Sequence, residues 1–129
     1  VLVSAEESEP VDDRGGASAR HTMGRALMKR FQVMIDADLQ PILPRYFEIR
    51  WEELRQMEEA AGKGDGEMLR TLGHRLKGTG SSYGFRRLTE LGAAIEDAGQ
   101  AVDIKGAAGL IAEVRQYLEH VDIIFGSQD

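Results

Sequence analysis

From residue 36 onward, apolar residues recur every three or four positions, and that period admits amphipathic helices and little else. The first stripe opens at Pro41 or Pro44, since proline suits the first turn of a helix. It runs Leu43, Phe47, Trp51 (or Arg50), Leu54, Met57 and Ala61 and ends at "AGKGDG". A second stripe comprises Leu69, Leu72, Leu76 and Tyr83, with Asp65 placed as N-cap and Gly84 as C-terminal stop. The third is Leu88, Leu91, Ile95 and Ala98, and the fourth is Ile104, Ala108, Ile111, Val114, Leu118, Val121 and Phe125. No alternating stretch of useful length predicts a strand. Four such helices with short connections predict an all-α protein, an antiparallel four-helix bundle over residues 36–129.

The N-terminal third adds less. Residues 1–18 are acidic, polar and turn-rich and read as a flexible tail or linker. In residues 19–35, Met23, Leu27, Phe31 and Met34 make a short helical stripe, although "FQVMI" also suits an extended segment. The bundle is therefore expected to carry an additional N-terminal helix or extended segment. Arg20, Arg25, Lys29 and Arg30 make this stretch basic, and packing on the bundle or joining it to a neighbour is preferred over a membrane-surface role.

Composition narrows the function classes. At 129 residues the chain is one domain by length, and without cysteine it has no disulfide, thiolate metal site or cysteine nucleophile. No apolar run approaches the ~20 residues of a membrane span. A net charge of −6 argues against nucleic acid as a partner. The expectation is a soluble, cytoplasmic domain without stable membrane insertion. "AGKGDG" lacks the spacing and the Gly-Lys-Ser/Thr ending of a phosphate loop and reads as a turn.

The second helix holds the exception to good helix design. "GHRLKGTGSSYGF", residues 73–85, has four glycines, each costing a helix interior up to ~1 kcal/mol relative to alanine. On a helical wheel the buried stripe centres between Leu72 and Leu76, and His74 falls on the opposite pole. Its neighbours there are Arg70, Lys77, Gly78 and Ser81. Gly73 and Gly80 border the stripe, where they allow a close helix approach, and Gly78 leaves the outer face open beside the imidazole. Leu69 to Thr89 contains no acid and five cations, Arg70, Arg75, Lys77, Arg86 and Arg87. With +5 here and −6 in total, the rest of the chain carries −11. Metal binding is not expected at His74, because no second histidine stands at i+3 or i+4 and no acid is expected nearby. His21 and His120 are assigned no role.

His74-Arg-Leu-Lys77-Gly78 followed by Thr-Gly-Ser-Ser-Tyr-Gly84 resembles the signature of histidine-containing phosphotransfer (HPt) domains of two-component phosphorelays. Leu88, Leu91 and the pair Ile95-Glu96 continue the likeness, which covers about residues 36–125. The resemblance implies that His74 is the phosphoacceptor, that Lys77 balances phosphoryl charge and that Gly78 gives steric access. Implied partners are response-regulator receiver domains, with a hybrid sensor histidine kinase as a further candidate. Mg²⁺ is expected from the receiver and no cofactor from this chain. Such a chain is a relay intermediate without ATP-dependent kinase activity of its own. Arg70, Arg75, Ser81, Arg86 and Arg87 are expected to contact partners as a positive rim. Attack is expected through Nε2, with Nδ1 hydrogen-bonded within the protein or to water. The alternatives are a non-phosphorylated four-helix docking adaptor and an enzyme or cofactor-binding bundle.

Overall fold

The computed structural model describes residues 30–126. The tail expected at residues 1–18 and the residues Met23 and Leu27 lie outside that range. Four helices follow one another: α1 (Leu43–Lys63), α2 (Gly66–Tyr83), α3 (Arg86–Gln100) and α4 (Ile104–His120). Connections of two or three residues force each helix antiparallel to the one before. Packing closes a ring in which α1 meets α2 and α4, and α3 meets α2 and α4.

Local chemistry sets the boundaries. Pro44 sits in the first turn of α1, and Gly64 ends that helix in the left-handed region at φ 68°. The Asp65 carboxylate accepts from the Met68 N–H at the start of α2, and Gly84 closes α2 at φ 89°. Asp103 caps α4 in the same way through the Gly106 N–H.

The core is built from the predicted stripes, with shifts. Leu54, Met57, Leu69, Leu72, Leu76, Leu88, Leu91, Ile95, Ile111, Val114 and Leu118 are buried. In α1 the inward face is rotated toward Tyr46, Arg50 and Glu53, and Phe47 and Trp51 are only partly covered. In α4, Ala107 is buried in place of the expected Ala108. Arg50 Nε lies 3.0 Å from Glu53 Oε1, an ion contact whose angle falls short of a hydrogen bond. The guanidinium also sits 4.7 Å from the centroid of the Tyr46 ring. Burial pushes the Tyr46 hydroxyl up to about 12, with Arg50 acting in the opposite direction.

The N-terminal segment takes the extended of its two expected forms, and the helical stripe through Val121 and Phe125 is corrected. Phe31 and Met34 belong to a strand, β1 (Phe31–Asp36). Val121 and Phe125 likewise belong to a strand, β2 (Val121–Gly126), because α4 stops at His120. The strands pair in parallel, from Phe31 opposite Val121 to Asp36 opposite Gly126. Phe31, Val33, Ile35, Val121, Ile123 and Phe125 face the core in a period of two. Arg30 locks the start of this pairing through two hydrogen bonds to Asp122, 2.9 and 2.6 Å long. A six-residue 3₁₀ helix, Ala37–Ile42, joins β1 to α1. Among the described residues, no helix is long and apolar enough to cross a membrane.

Candidate functional site

α2 and α3 approach one another more closely than side chains would allow. A Cβ on Gly66 would lie 2.6 Å from the Gly99 carbonyl oxygen, and one on Gly80 2.8 Å from the Thr89 nitrogen. Between them, a Cβ on Gly73 would strike the Glu96 nitrogen and lie 2.7 Å from the Gly92 carbonyl oxygen. Gly66, Gly73 and Gly80 thus repeat every seven residues along α2, the first against Gly99, the second against Gly92 and the third against Thr89 of α3. The seam brings α3 side chains one turn beyond Gly92 against the outer face of α2.

That side chain is Glu96. Its Oε2 is 3.0 Å from His74 Nδ1, and its Oε1 is 2.9 Å from Lys77 Nζ. His74 keeps 67 % of its side-chain surface exposed, whereas Glu96 keeps 20 %. A carboxylate only accepts, so the hydrogen on the His74–Glu96 line belongs to Nδ1. In the neutral ring this leaves the lone pair on Nε2. Gly78, one turn along, has no atom within 4 Å of the Cβ that it lacks. The result is an oriented nucleophilic nitrogen beside an open surface.

The Lys77 ammonium holds the Glu96 carboxyl below the usual glutamate range, His74 adds to this, and partial burial opposes it. A carboxyl whose folded pKa is depressed stabilises the fold above its unfolded pKa. It loses that contribution as pH falls through the folded value. Carboxyl NMR is therefore expected to show Glu96 titrating below a model-peptide glutamate. Lys77→Met should move the midpoint upward, and the stability difference between wild type and variant should shrink in acid. An unmoved midpoint would show that Lys77 does not hold the carboxylate.

The other expected site residues are placed as follows. Arg70 Nη2 is 3.5 Å from Glu67, and Arg75 Nη1 is 3.7 Å from the buried Glu53. Arg87 bridges Glu90 and Glu113 at 3.4 and 2.5 Å. Ser81 and Arg86 are exposed, and Arg86 has no ion pair among the described residues. The acid-free segment is therefore not a free positive rim, because acids from α1, α3 and α4 and one from α2's own first turn meet four of its five cations. The expectation that no acid lies near His74 is corrected by Glu96. Glu96 was visible in the sequence as part of the pair Ile95-Glu96, without a role.

The family model described as Hpt domain matches residues 51–123. Comparisons with curated proteins and with solved structures give no significant match. The matched span runs through all four helices and includes His74, Lys77, Gly78 and Glu96. A match over more than half of the sequence, centred on the two helices that build this site, makes the chain a member of the Hpt domain family.

Proposed function

We propose that His74 accepts a phosphoryl group from the aspartyl phosphate of a receiver domain and passes it to an aspartate of another receiver. One observation carries this reading: Glu96 occupies Nδ1 and so leaves the exposed Nε2 as the nucleophile. In the first transfer the Nε2 lone pair forms the N–P bond. The acyl phosphate P–O bond breaks, and its electrons return to the donor carboxylate. The ring then carries a positive charge, which the Glu96 carboxylate balances through the Nδ1–H bond. In the second transfer a receiver carboxylate attacks phosphorus and Nε2 recovers its lone pair. The transition state is loose, so alignment and charge do most of the work.

Lys77 lies one turn from His74 on the same carboxylate, where it is placed to meet phosphoryl oxygens once Glu96 is drawn toward the ring. Gly78 and Ser81 keep the approach low. Arg70 and Arg75 flank it, with Arg86 and Arg87 farther along, as the receiver-facing rim. The receiver supplies Mg²⁺, which neutralises phosphoryl charge from its own side.

The test is to incubate the chain with phosphorylated receiver domains and Mg²⁺ and to assign the product by phosphorus–nitrogen NMR coupling. Acid-labile, alkali-stable phosphate on Nε2 is expected. Phosphate on Nδ1 would overturn the assignment of the nucleophilic nitrogen. Receiver binding with no phosphate on the chain would leave a docking adaptor.

A further inference from the structure

α1 buries an ion pair that a helical bundle does not need. Arg50 and Glu53 are each 5 % exposed, and Arg50 Nε and Glu53 Oε1 make no hydrogen bond beyond their 3.0 Å ion contact. Apolar replacement of such a pair is often neutral or stabilising, so stability is a poor account of its presence. The second carboxylate oxygen points to another account. Glu53 Oε2 lies 3.7 Å from Nη1 of Arg75, the residue that follows His74 on α2. A surface groove of about 600 Å³ has six charged side chains on its walls, Arg45, Arg55 and Arg75 against Glu48, Glu52 and Glu53. Each cation has an acid: Arg45 with Glu48, Arg55 with Glu52 and Arg75 with Glu53. The groove is therefore neutral and makes no ion site. What differs is the anchoring. In the first two pairs both partners are more than half exposed, and such pairs hold their geometry weakly. Glu53 is buried, so packing and Arg50 fix its carboxylate, and Arg75 is tied to a fixed point.

We propose, resting on the relay reading, that Glu53 is a positioning residue for receiver recognition. From inside the bundle it fixes the Arg75 guanidinium beside His74, where that group meets a hydrogen-bond acceptor of the docking receiver. The arrangement mirrors that of Lys77. On one side of His74, Lys77 is held by Glu96 from α3, and on the other, Arg75 is held by Glu53 from α1. In both pairs the carboxylate is more buried than the cation that it holds. At 3.7 Å the Glu53–Arg75 contact is an attraction between charges rather than a hydrogen bond, so the guanidinium N–H donors remain available to a partner. An arginine that wanders in solvent loses side-chain freedom when a receiver docks. One that is already held loses less, and binding is tighter for it. Glu53 itself is too deep to touch the receiver and acts through Arg75 alone.

Glu53→Gln alone would leave Arg50 buried without a counterion and endanger the fold, so the pair is replaced together, Arg50→Met with Glu53→Met. On the full chain, dissociation constants are measured for receiver domains carrying beryllofluoride, a stable mimic of the aspartyl phosphate, with Mg²⁺. Replacing the pair should weaken binding on the order of fivefold, and Arg75→Gln about as much. All three substitutions together should bind no more weakly than Arg75→Gln alone. Without a receiver, nitrogen relaxation should show the Arg75 Nε–H more ordered than that of Arg86, which has no ion pair among the described residues. Replacing the pair should bring Arg75 to the level of Arg86. Losses that add across the three substitutions would overturn the proposal by making the pair merely structural, as would an Arg75 as mobile as Arg86 in the wild type. Receiver binding with no phosphate on His74 would remove the relay reading and leave Glu53 its positioning role. Phosphate on His74 with additive losses would do the reverse, and no receiver binding to the wild type would overturn both.

Discussion

His74→Gln is expected to reduce acid-labile phosphate on the chain to the level of a receiver-free control. Glutamine keeps a polar, helix-compatible side chain of similar reach but has no nitrogen able to form a stable N–P bond. The residue is largely exposed and its ring fills no core space, so unfolding curves should stay within about 0.5 kcal/mol of wild type. Glu96→Ala separates orientation from nucleophilicity. It removes the charge-assisted hydrogen bond that holds the ring in orientation, and transfer should slow on the order of tenfold or more. It should also shift product from Nε2 toward Nδ1, because nothing then occupies Nδ1. A purely structural role for Glu96 would lower stability and leave the isomer unchanged. Glu96→Gln retains an acceptor oxygen and should preserve the Nε2 isomer while slowing transfer, since the ring's positive charge loses its counterion. Full transfer by His74→Gln would move the phosphoacceptor elsewhere and remove the basis of the relay assignment.

How much of this was legible in the sequence depends on the distance over which each feature is encoded. Helix stripes and ends are local: Leu69, Leu72 and Leu76 fix a face, and Asp65 and Gly84 fix the termini of α2. The outward direction of His74 follows from the same period. Glu96 is not local, because its place beside His74 depends on the packing of two helices, with the partners 22 positions apart in sequence. A signal for that packing exists in the sevenfold spacing of Gly66, Gly73 and Gly80 against Gly92 and Gly99. Aligning the two glycine series puts Glu96 opposite the His74–Lys77 turn. Charge counts along the sequence misjudged the cations for the same reason, since Glu53, Glu96 and Glu113 come from other helices. The sheet was hidden differently. Met34 and Ile124 stand on outward positions, are exposed, and turn "VMI" and "IIF" into continuous apolar runs that hide the alternating facing of the two strands. The partner strand of each lies some 90 residues away, beyond any local pattern.

Gly92→Ala is expected to destabilise the protein although alanine is the better helix former. In an open helix position the exchange gains up to ~1 kcal/mol. Gly109, in α4 with no atom within 4 Å of an added Cβ, provides that baseline, and Gly109→Ala should be neutral or stabilising. At Gly92 the added Cβ would strike the Lys77 nitrogen and lie 2.8 Å from the Gly73 carbonyl oxygen. Both are backbone atoms of α2 and cannot rotate away, so α3 must shift outward. Overpacking of this kind costs about 1–3 kcal/mol, more than the propensity gain. The shift also carries Glu96, one turn along, away from His74 Nδ1 and Lys77 Nζ. Denaturant unfolding should therefore show a lower midpoint for Gly92→Ala, and carboxyl NMR should show its Glu96 titrating closer to an ordinary glutamate. Phosphoryl uptake should fall in the same variant with His74 intact. If Gly92→Ala were as stable as Gly109→Ala, the close approach of α2 and α3 would not be what positions Glu96, and the glycine seam would lose its role in building the site.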